Sequence, residues 1–119
     1  MQYVDGFVLP VPKGKIKQYQ KIASKAGKIW MEHGALEYRE CVLEDPRTPQ
    51  MLSFPQLASP KKGETVILAY IVYKSRAHRD KVNAKVMKDK RLMEMCPEND
   101  MPFDCKRMAY GGFATLVSY

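Results

Sequence analysis

Period-two alternation of apolar side chains along the chain is typical of strands. The predicted strands cover residues 3–9, 36–44, 65–73 and 107–117. In the segment 65–73 both alternating faces are apolar, so we expect both faces to be covered. Pro10 and Pro12 are expected to end the first strand, and Gly111-Gly112 predicts a bulge or a close backbone approach in the last one.

Apolar side chains recur at helical spacing in two other segments. A helix is predicted over residues 15–33, with Gly34 at the position where glycine commonly ends a helix. Its predicted core face consists of Ile16, Tyr19, Ala23, Ala26 and Trp30. A second helix is predicted from the N-cap Ser75 to about residue 90. Residues 45–63 contain four prolines and are predicted to form a long loop, and an irregular stretch is predicted between the second helix and the last strand.

The resulting order β-α-β-β-α-β predicts one α+β domain over residues 1–119, with a ferredoxin-like four-stranded antiparallel sheet. Both helices then lie on one face of the sheet. The other face carries apolar residues that must also be covered, and a second copy of the same sheet is the simplest cover. We therefore expect a homodimer built sheet to sheet.

Composition narrows the class of protein. With 119 residues, 45% hydrophobic and 28% charged, the chain can form one hydrophobic core without disulfides or metal ions to stabilise it. The odd set Cys41, Cys96 and Cys105, together with a polar N-terminus and no long apolar run, predicts a cytoplasmic protein with reduced thiols and no membrane association. Neither the cysteines nor the isolated His33 and His78 have the spacing of a metal site, so we expect no metal and no cofactor, with His78 packed at a helix edge.

Asp5 stands in the middle of an apolar strand and is the leading candidate for a catalytic or ligand-anchoring group. We expect it to face away from the helices and to bond Arg107 or Tyr110 on the last strand. A structural ion pair is the alternative. Further candidates for binding a ligand inside a dimeric barrel are Tyr3, Tyr38, Glu40 and Tyr70. The chain is accordingly predicted to bind an unidentified small molecule or to act as a cofactor-free enzyme.

The net charge of +7 leaves a second possibility open. Lysines and arginines crowd the segments 13–28 and 74–91, so the helical side of the domain is predicted to be basic. Such a surface attracts phosphates, but no aromatic residue interleaves with the outward lysines. Nucleic-acid binding, if present, is therefore expected to be weak and non-specific. A structural or stress-related protein with no site is the third alternative.

Several segments resemble the YbaA-like family of uncharacterised bacterial proteins, also called domain of unknown function 1428. They are YVDGF at residues 3–7, SRAHRD at 75–80 and MPFDCKRMAYGGF at 101–113. The resemblance runs almost end to end. It implies a ferredoxin-like subunit of the dimeric α/β-barrel type and no assigned reaction.

Overall fold

The computed structural model describes residues 1–95 and 101–119. The strands are β1 (Tyr3–Pro12), β2 (Glu37–Val42), β3 (Glu64–Tyr73) and β4 (Ala109–Ala114). The helices are α1 (Ile16–Glu32), α2 (Phe54–Ala58), α3 (Arg76–Met87) and α4 (Lys90–Met95), with 3-10 turns at Lys13–Lys15 and Cys105–Arg107. Within the described residues no helix is both long and apolar enough to cross a membrane.

The four strands form one antiparallel sheet in the order β2-β3-β1-β4. This confirms the predicted α+β, ferredoxin-like arrangement, in which the two central strands are the first and third in the chain. Side chains of β1 and β3 at odd positions point toward the helices, and we call this side the helix face. Even positions point to the opposite side, the open face, because successive strand residues alternate.

The helix face carries the core. On α1, the helical spacing brings Tyr19, Ala23 and Ala26 onto one buried side. Strand residues such as Leu9 and Ile67 are buried with them. Gly27 permits a close approach of helix and sheet, since a Cβ there would lie 2.8 Å from Cδ1 of Tyr38. The other half of the core joins β3 to α3 and α1 through Ile29, Ile71, Tyr73, Val82 and Val86.

The predicted end of β1 was wrong. β1 does not stop at Pro10 but runs through Pro12, because its pairing with β4 ends at Val8↔Ala109 while pairing with β3 continues. Beyond Val8 the strand has a neighbour on one side only, where a missing N–H is tolerated. The β1–β4 register has no bulge at Gly112. The predicted close approach is confirmed, since a Cβ on Gly112 would lie 2.4 Å from the hydroxyl oxygen of Tyr3.

Helix boundaries also differ from the prediction. The segment 45–63 is not wholly a loop but contains α2, whose N-cap Ser53 forms a capping box with Gln56. The second predicted helix corresponds to α3, which ends at Met87 instead of about residue 90, and the separate helix α4 lies where an irregular stretch was expected. Ser75 is confirmed as an N-cap, accepting the His78 N–H at 3.1 Å. The predicted irregular stretch and Cys96 fall partly or wholly in residues 96–100, outside the described residues.

The open face is largely bare in the single chain. Leu68 is 42% exposed and Phe113 is 61% exposed, although both are large apolar residues in strands. Pro10 and Val66 have the same orientation but are buried, and α2 contacts both of the strands that carry them. The chain therefore covers one end of the open face and leaves Leu68 and Phe113 accessible.

Candidate functional site

Asp5 lies on the helix face, so the predicted orientation away from the helices was wrong. It shares its side of β1 with the core residues Phe7 and Leu9, and it is only 1% exposed. Nη1 of Arg79, in the first turn of α3, donates to Oδ1 of Asp5 at 2.9 Å. The Tyr110 hydroxyl donates to the same oxygen at 3.1 Å. The phenolic partner predicted for Asp5 is therefore confirmed, whereas the basic partner comes from a helix.

Arg79 is held in place from several sides. Its Nε donates to Asp80 at 2.8 Å, its Nη1 also donates to the Tyr110 hydroxyl at 2.8 Å, and its guanidinium carbon lies 5.0 Å from the ring centroid of Tyr3. Burial disfavours the charged guanidinium, but the negative charge of Asp5 and the neighbouring Tyr110 and Asp80 raise the Arg79 pKa overall. Arg79 therefore remains a cation, which stabilises the buried Asp5 carboxylate.

The predicted pairing of Arg107 with Asp5 was wrong. Arg107 makes a bidentate contact with Glu64, from Nη1 at 2.9 Å and from Nη2 at 2.8 Å, and it also donates to the Ser59 carbonyl oxygen at 3.1 Å. The register explains the difference. Asp5 lies opposite Gly112, whereas Arg107 precedes β4 and lies toward the far end of β1. Arg107 thus fastens the segment that contains α2 instead of contributing to a site with Asp5.

A second polar cluster surrounds Glu40 on β2. The hydroxyls of Tyr19 and Tyr38 each donate to one oxygen of the Glu40 carboxylate, with a distance of 2.6 Å from Tyr38. Burial, followed by the hydrogen bond to Glu40 and its charge, raises the pKa of Tyr19, so this phenol stays protonated and remains a donor. The ring of Trp30 lies 6.1 Å from that of Tyr38. Tyr38 and Glu40, both predicted candidates, are therefore brought together.

Asn83 on α3 provides a third polar point. Its side-chain oxygen accepts from Nε1 of Trp30 and from the hydroxyl of Tyr73, both at 3.2 Å. Burial, followed by the charge of Asp5, raises the Tyr73 pKa. The sequence interpretation treated Trp30 as a core residue and did not consider Asn83. Buried Trp and Tyr side chains require polar partners, and this requirement could have indicated that a polar residue such as Asn83 lies beside them.

These clusters line a cavity of about 360 Å³ between the helix face and the helices. Its polar wall comprises Asp5, Tyr19, Tyr38, Arg39, Glu40, Asn83 and Tyr110. The guanidinium of Arg39 is paired with Glu37. Its apolar wall includes Phe7, Trp30, Met87, Leu92, Phe103 and Met108. The predicted candidates Asp5, Tyr110, Tyr38 and Glu40 therefore line a cavity within one chain. Tyr3 approaches it only through Arg79.

Tyr70 does not belong to this cavity. It projects from the open face, where its hydroxyl donates to Glu37 at 3.0 Å. Glu37 is also paired with Arg39 at 3.2 Å on the same strand. Predicted ligand-binding candidates are thus divided between the two faces of the sheet.

The Glu40 cluster also borders a more open groove of about 740 Å³ along α1 and β2. Ala23, Tyr19, Tyr38 and Glu40 line both spaces. The phenol–carboxylate cluster therefore lies between the cavity and the outer groove, where a ligand entering from that side meets it first.

The histidines and cysteines have ordinary surroundings. Nδ1 of His78 accepts the backbone N–H of Lys74 at 2.9 Å, and its ring stands edge-on to Tyr73. His33 bonds Asp89 at 2.8 Å. Cys41 and Cys105 are free and exposed. Across residues 1–95 and 101–119, no three His, Cys, Asp or Glu side chains are grouped closely enough to hold a metal ion.

Comparisons with known proteins point to relatives without an assigned activity. A family model described as a protein of unknown function, DUF1428, matches residues 2–105. The uncharacterized protein YbaA of Escherichia coli strain K12 is 39% identical over 117 residues, which is 98% of each chain. The YbaA protein of Shigella flexneri matches to the same extent.

Solved structures share the fold. An uncharacterized NIPSNAP domain protein from Burkholderia xenovorans superposes with a TM-score of 0.62 at 12% identity, covering 96% of this chain and 94% of the other. A NIPSNAP family protein of unknown function from Agrobacterium tumefaciens gives a TM-score of 0.61 at 15% identity, covering 94% and 86%. At these identities the likeness establishes the fold and nothing about the cavity.

Proposed function

This chain belongs to the DUF1428 family of proteins of unknown function, and from its own cavity we propose that it binds a small molecule between the helix face and the helices. The observation that carries the proposal is a cavity with mainly apolar walls, into which a few fixed polar groups converge. Ligand sites in proteins commonly combine these features. The proposed site lies within each chain and not in the space between two sheets.

The dimensions limit the ligand. A volume of about 360 Å³ is near the lower end of the roughly 300–1,000 Å³ found for ligand pockets, which favours a molecule of one or two rings. Methionines at positions 87, 101 and 108 line the walls. Their flexible side chains adapt to irregular apolar shapes.

Binding is better supported than catalysis at the Asp5 cluster. Oδ1 of Asp5 accepts from both Arg79 and Tyr110. A carboxylate held by two protein donors is suited to fixing those donors in position. The Tyr110 hydroxyl, which borders the cavity, is the group that this arrangement orients toward a ligand.

Trp30 makes the proposal directly testable, since it is the single tryptophan of the chain and lines the cavity. Small aromatic compounds titrated into the protein should change its fluorescence saturably. The Ala26→Leu variant should abolish this response, because Ala26 lines the same space. Ala84→Leu, an exposed position on α3, is the matched control. Saturable binding that persists unchanged in Ala26→Leu would place the ligand elsewhere.

We also propose that the open face is covered by a second copy. It exposes the apolar Leu68 and Phe113 and carries the oppositely charged Glu37 and Arg39 on its β2 edge, and such a face suits a two-fold, self-complementary interface. Sedimentation should find a dimer that Leu68→Glu weakens. Leu52→Glu, in an exposed loop, should leave it intact. A stable monomer at micromolar concentration would contradict the proposal.

A second candidate function is weak nucleic-acid binding by the exterior of α1. The four lysines Lys17, Lys21, Lys25 and Lys28 are all exposed, and within the described part of the chain none forms an ion pair. We expect affinity that falls steeply with salt and differs little between sequences. Fluorescence anisotropy with two unrelated RNA oligomers at several salt concentrations tests this. A complex that survives high salt would reveal a specific site.

A further inference from the structure

We infer that the Glu40 end of the cavity takes a protonated amine, so that the ligand is a small organic ammonium compound with an apolar or aromatic body. The inference rests on the proposed function, because it assigns a substrate class to the same cavity. It follows from the difference between the two carboxylates on the cavity wall.

The two carboxylates differ in whether their charge is balanced. Asp5 is paired with the guanidinium of Arg79. Glu40 accepts from the phenols of Tyr19 and Tyr38, and over residues 1–95 and 101–119 it forms no ion pair. Neutral donors orient a carboxylate without cancelling its charge, and each oxygen retains a second acceptor position. A cationic donor from a ligand fits these positions.

The two phenols that bond this carboxylate pack against further aromatic rings. Trp30 and Tyr38 have ring centroids 6.1 Å apart, and Tyr19 meets Phe103 edge to face at 5.5 Å. All four residues line the cavity. Ring faces attract cations, and aromatic surroundings next to a carboxylate are a recurrent way of recognising ammonium groups. A neutral ligand can donate to the carboxylate but gains no charge attraction from it, and an anionic ligand is repelled by it.

Strand β2 contains a natural control for Glu40. Glu37 also accepts from a tyrosine, Tyr70, but it points to the open face and is paired with Arg39. It therefore matches Glu40 in residue type, strand and phenol contact, and differs in face and charge balance. Changing each glutamate to glutamine separates an effect of the cavity from a general effect of removing one negative charge.

The first experiment needs no mutation. We would titrate 2-phenylethylamine, 2-phenylethanol and phenylacetate, which share a body and differ in charge, and follow Trp30 fluorescence. The amine is expected to bind about tenfold or more tightly than the alcohol, because it adds a charge-assisted hydrogen bond and a cation–π contact. Phenylacetate should bind most weakly. Equal binding of amine and alcohol in wild type overturns the inference.

The second experiment compares Glu40→Gln with Glu37→Gln. Glu40→Gln should lower the amine affinity to about that of the alcohol, with the alcohol little changed, whereas Glu37→Gln should retain the full preference. A preference that persists in Glu40→Gln overturns the inference. If Glu40→Gln fails to fold by circular dichroism, the charge series on wild type decides.

The two proposals fail in different ways. If amine and alcohol bind equally and Ala26→Leu removes both, the cavity is a ligand site but not one for ammonium groups. If none of the three probes changes Trp30 fluorescence, the ammonium inference is overturned and the proposed function fails for ring-sized ligands.

Discussion

The two faces of the sheet carry nearly the same chemical grouping in different surroundings. On the helix face, Asp5 is bonded by Arg79 and Tyr110. On the open face, Glu37 is bonded by Arg39 and Tyr70. Each grouping contains one carboxylate, one guanidinium and one phenol. The side chains of Asp5 and Arg79 are 2% and 13% exposed, whereas those of Glu37 and Arg39 are 43% and 60% exposed.

Burial determines what each grouping contributes. In water, the partners of an exposed ion pair are well solvated when separated, so such pairs contribute about 0–1 kcal/mol. A buried carboxylate that loses its cation has no such alternative, and breaking a buried pair costs about 3–5 kcal/mol. In the single chain, the same three groups are therefore expected to be a requirement for folding on one face and nearly neutral on the other. Four measurements test this contrast.

Arg79→Met should have the largest effect. It leaves Asp5 charged and buried with one phenol as its partner, which should reduce the free energy of unfolding by about 3–5 kcal/mol. Urea denaturation followed by circular dichroism measures the loss. Arg39→Met on the open face should change the value by less than about 1 kcal/mol. Similar losses in the two variants would show that burial does not separate the faces.

Asp5→Asn should have the next largest effect, about 1–3 kcal/mol, because it leaves the guanidinium of Arg79 with only the exposed Asp80 as a counter-charge. The same denaturation experiment applies, with Glu37→Gln as the control. If Asp5 instead serves a ligand directly, Asn at this position should abolish binding detected through Trp30 and leave the melting temperature nearly unchanged. That result would contradict the structural role assigned to Asp5 here.

Removing one phenol hydroxyl from each face should give a smaller difference in stability between the two variants. Tyr110→Phe deletes a donor to a buried carboxylate and should cost about 1 kcal/mol. Tyr70→Phe deletes a donor to a solvated one and should fall within about 0.5 kcal/mol of wild type. Thermal unfolding of the two variants side by side is sufficient. The comparison is made at concentrations where the protein is monomeric, because the loss in Tyr70→Phe should grow once the proposed dimer buries the open face.

The side chain of Glu64 is more exposed than that of Asp5 and less exposed than that of Glu37, and changing it should have the smallest effect. Arg107 and the Lys61 N–H lower its pKa from 4.5 to about 2. Its contribution to stability is therefore present above about pH 4.5 and is lost as the pH falls toward about 2, where the folded state also binds the proton. We expect Glu64→Gln to remove up to about 1 kcal/mol at neutral pH and to flatten the acid limb of the stability curve. Glu44→Gln, an exposed control, should leave that limb unchanged.

The sequence determined the elements and their order. Two-sided apolar character identified β3, helical spacing of Tyr19, Ala23 and Ala26 identified α1, and Ser75 marked the start of α3. Periodicity and capping are local properties, so they can be recognised without knowing what the element packs against. Topology rules then limited the sheet to few arrangements, and the ferredoxin-like order β2-β3-β1-β4 is the one observed.

The two short helices were not predicted from the sequence. α2 has five residues and α4 has six, too few for a period to be recognised, although the Ser53–Gln56 capping box was legible. The predicted β1 was too short because Pro10 and Pro12 were expected to end it. A proline interrupts a strand where both sides are paired, but it is tolerated where one side has no neighbour. Whether Pro10 lies at an edge depends on where β4 stops.

The site shows most clearly what only the tertiary structure decided. The sequence indicated that an acid within β1 needs a partner, and Tyr110 was one of the predicted partners. The sequence did not indicate to which face Asp5 points. It also did not indicate that the basic partner of Asp5 is Arg79 and not Arg107. Arg79 is 74 positions away from Asp5 in the chain and reaches it only because α3 packs against β3 and α1. Local pattern specifies which residues need partners, whereas strand register and helix packing decide which residues meet, since they set distances between segments remote in sequence.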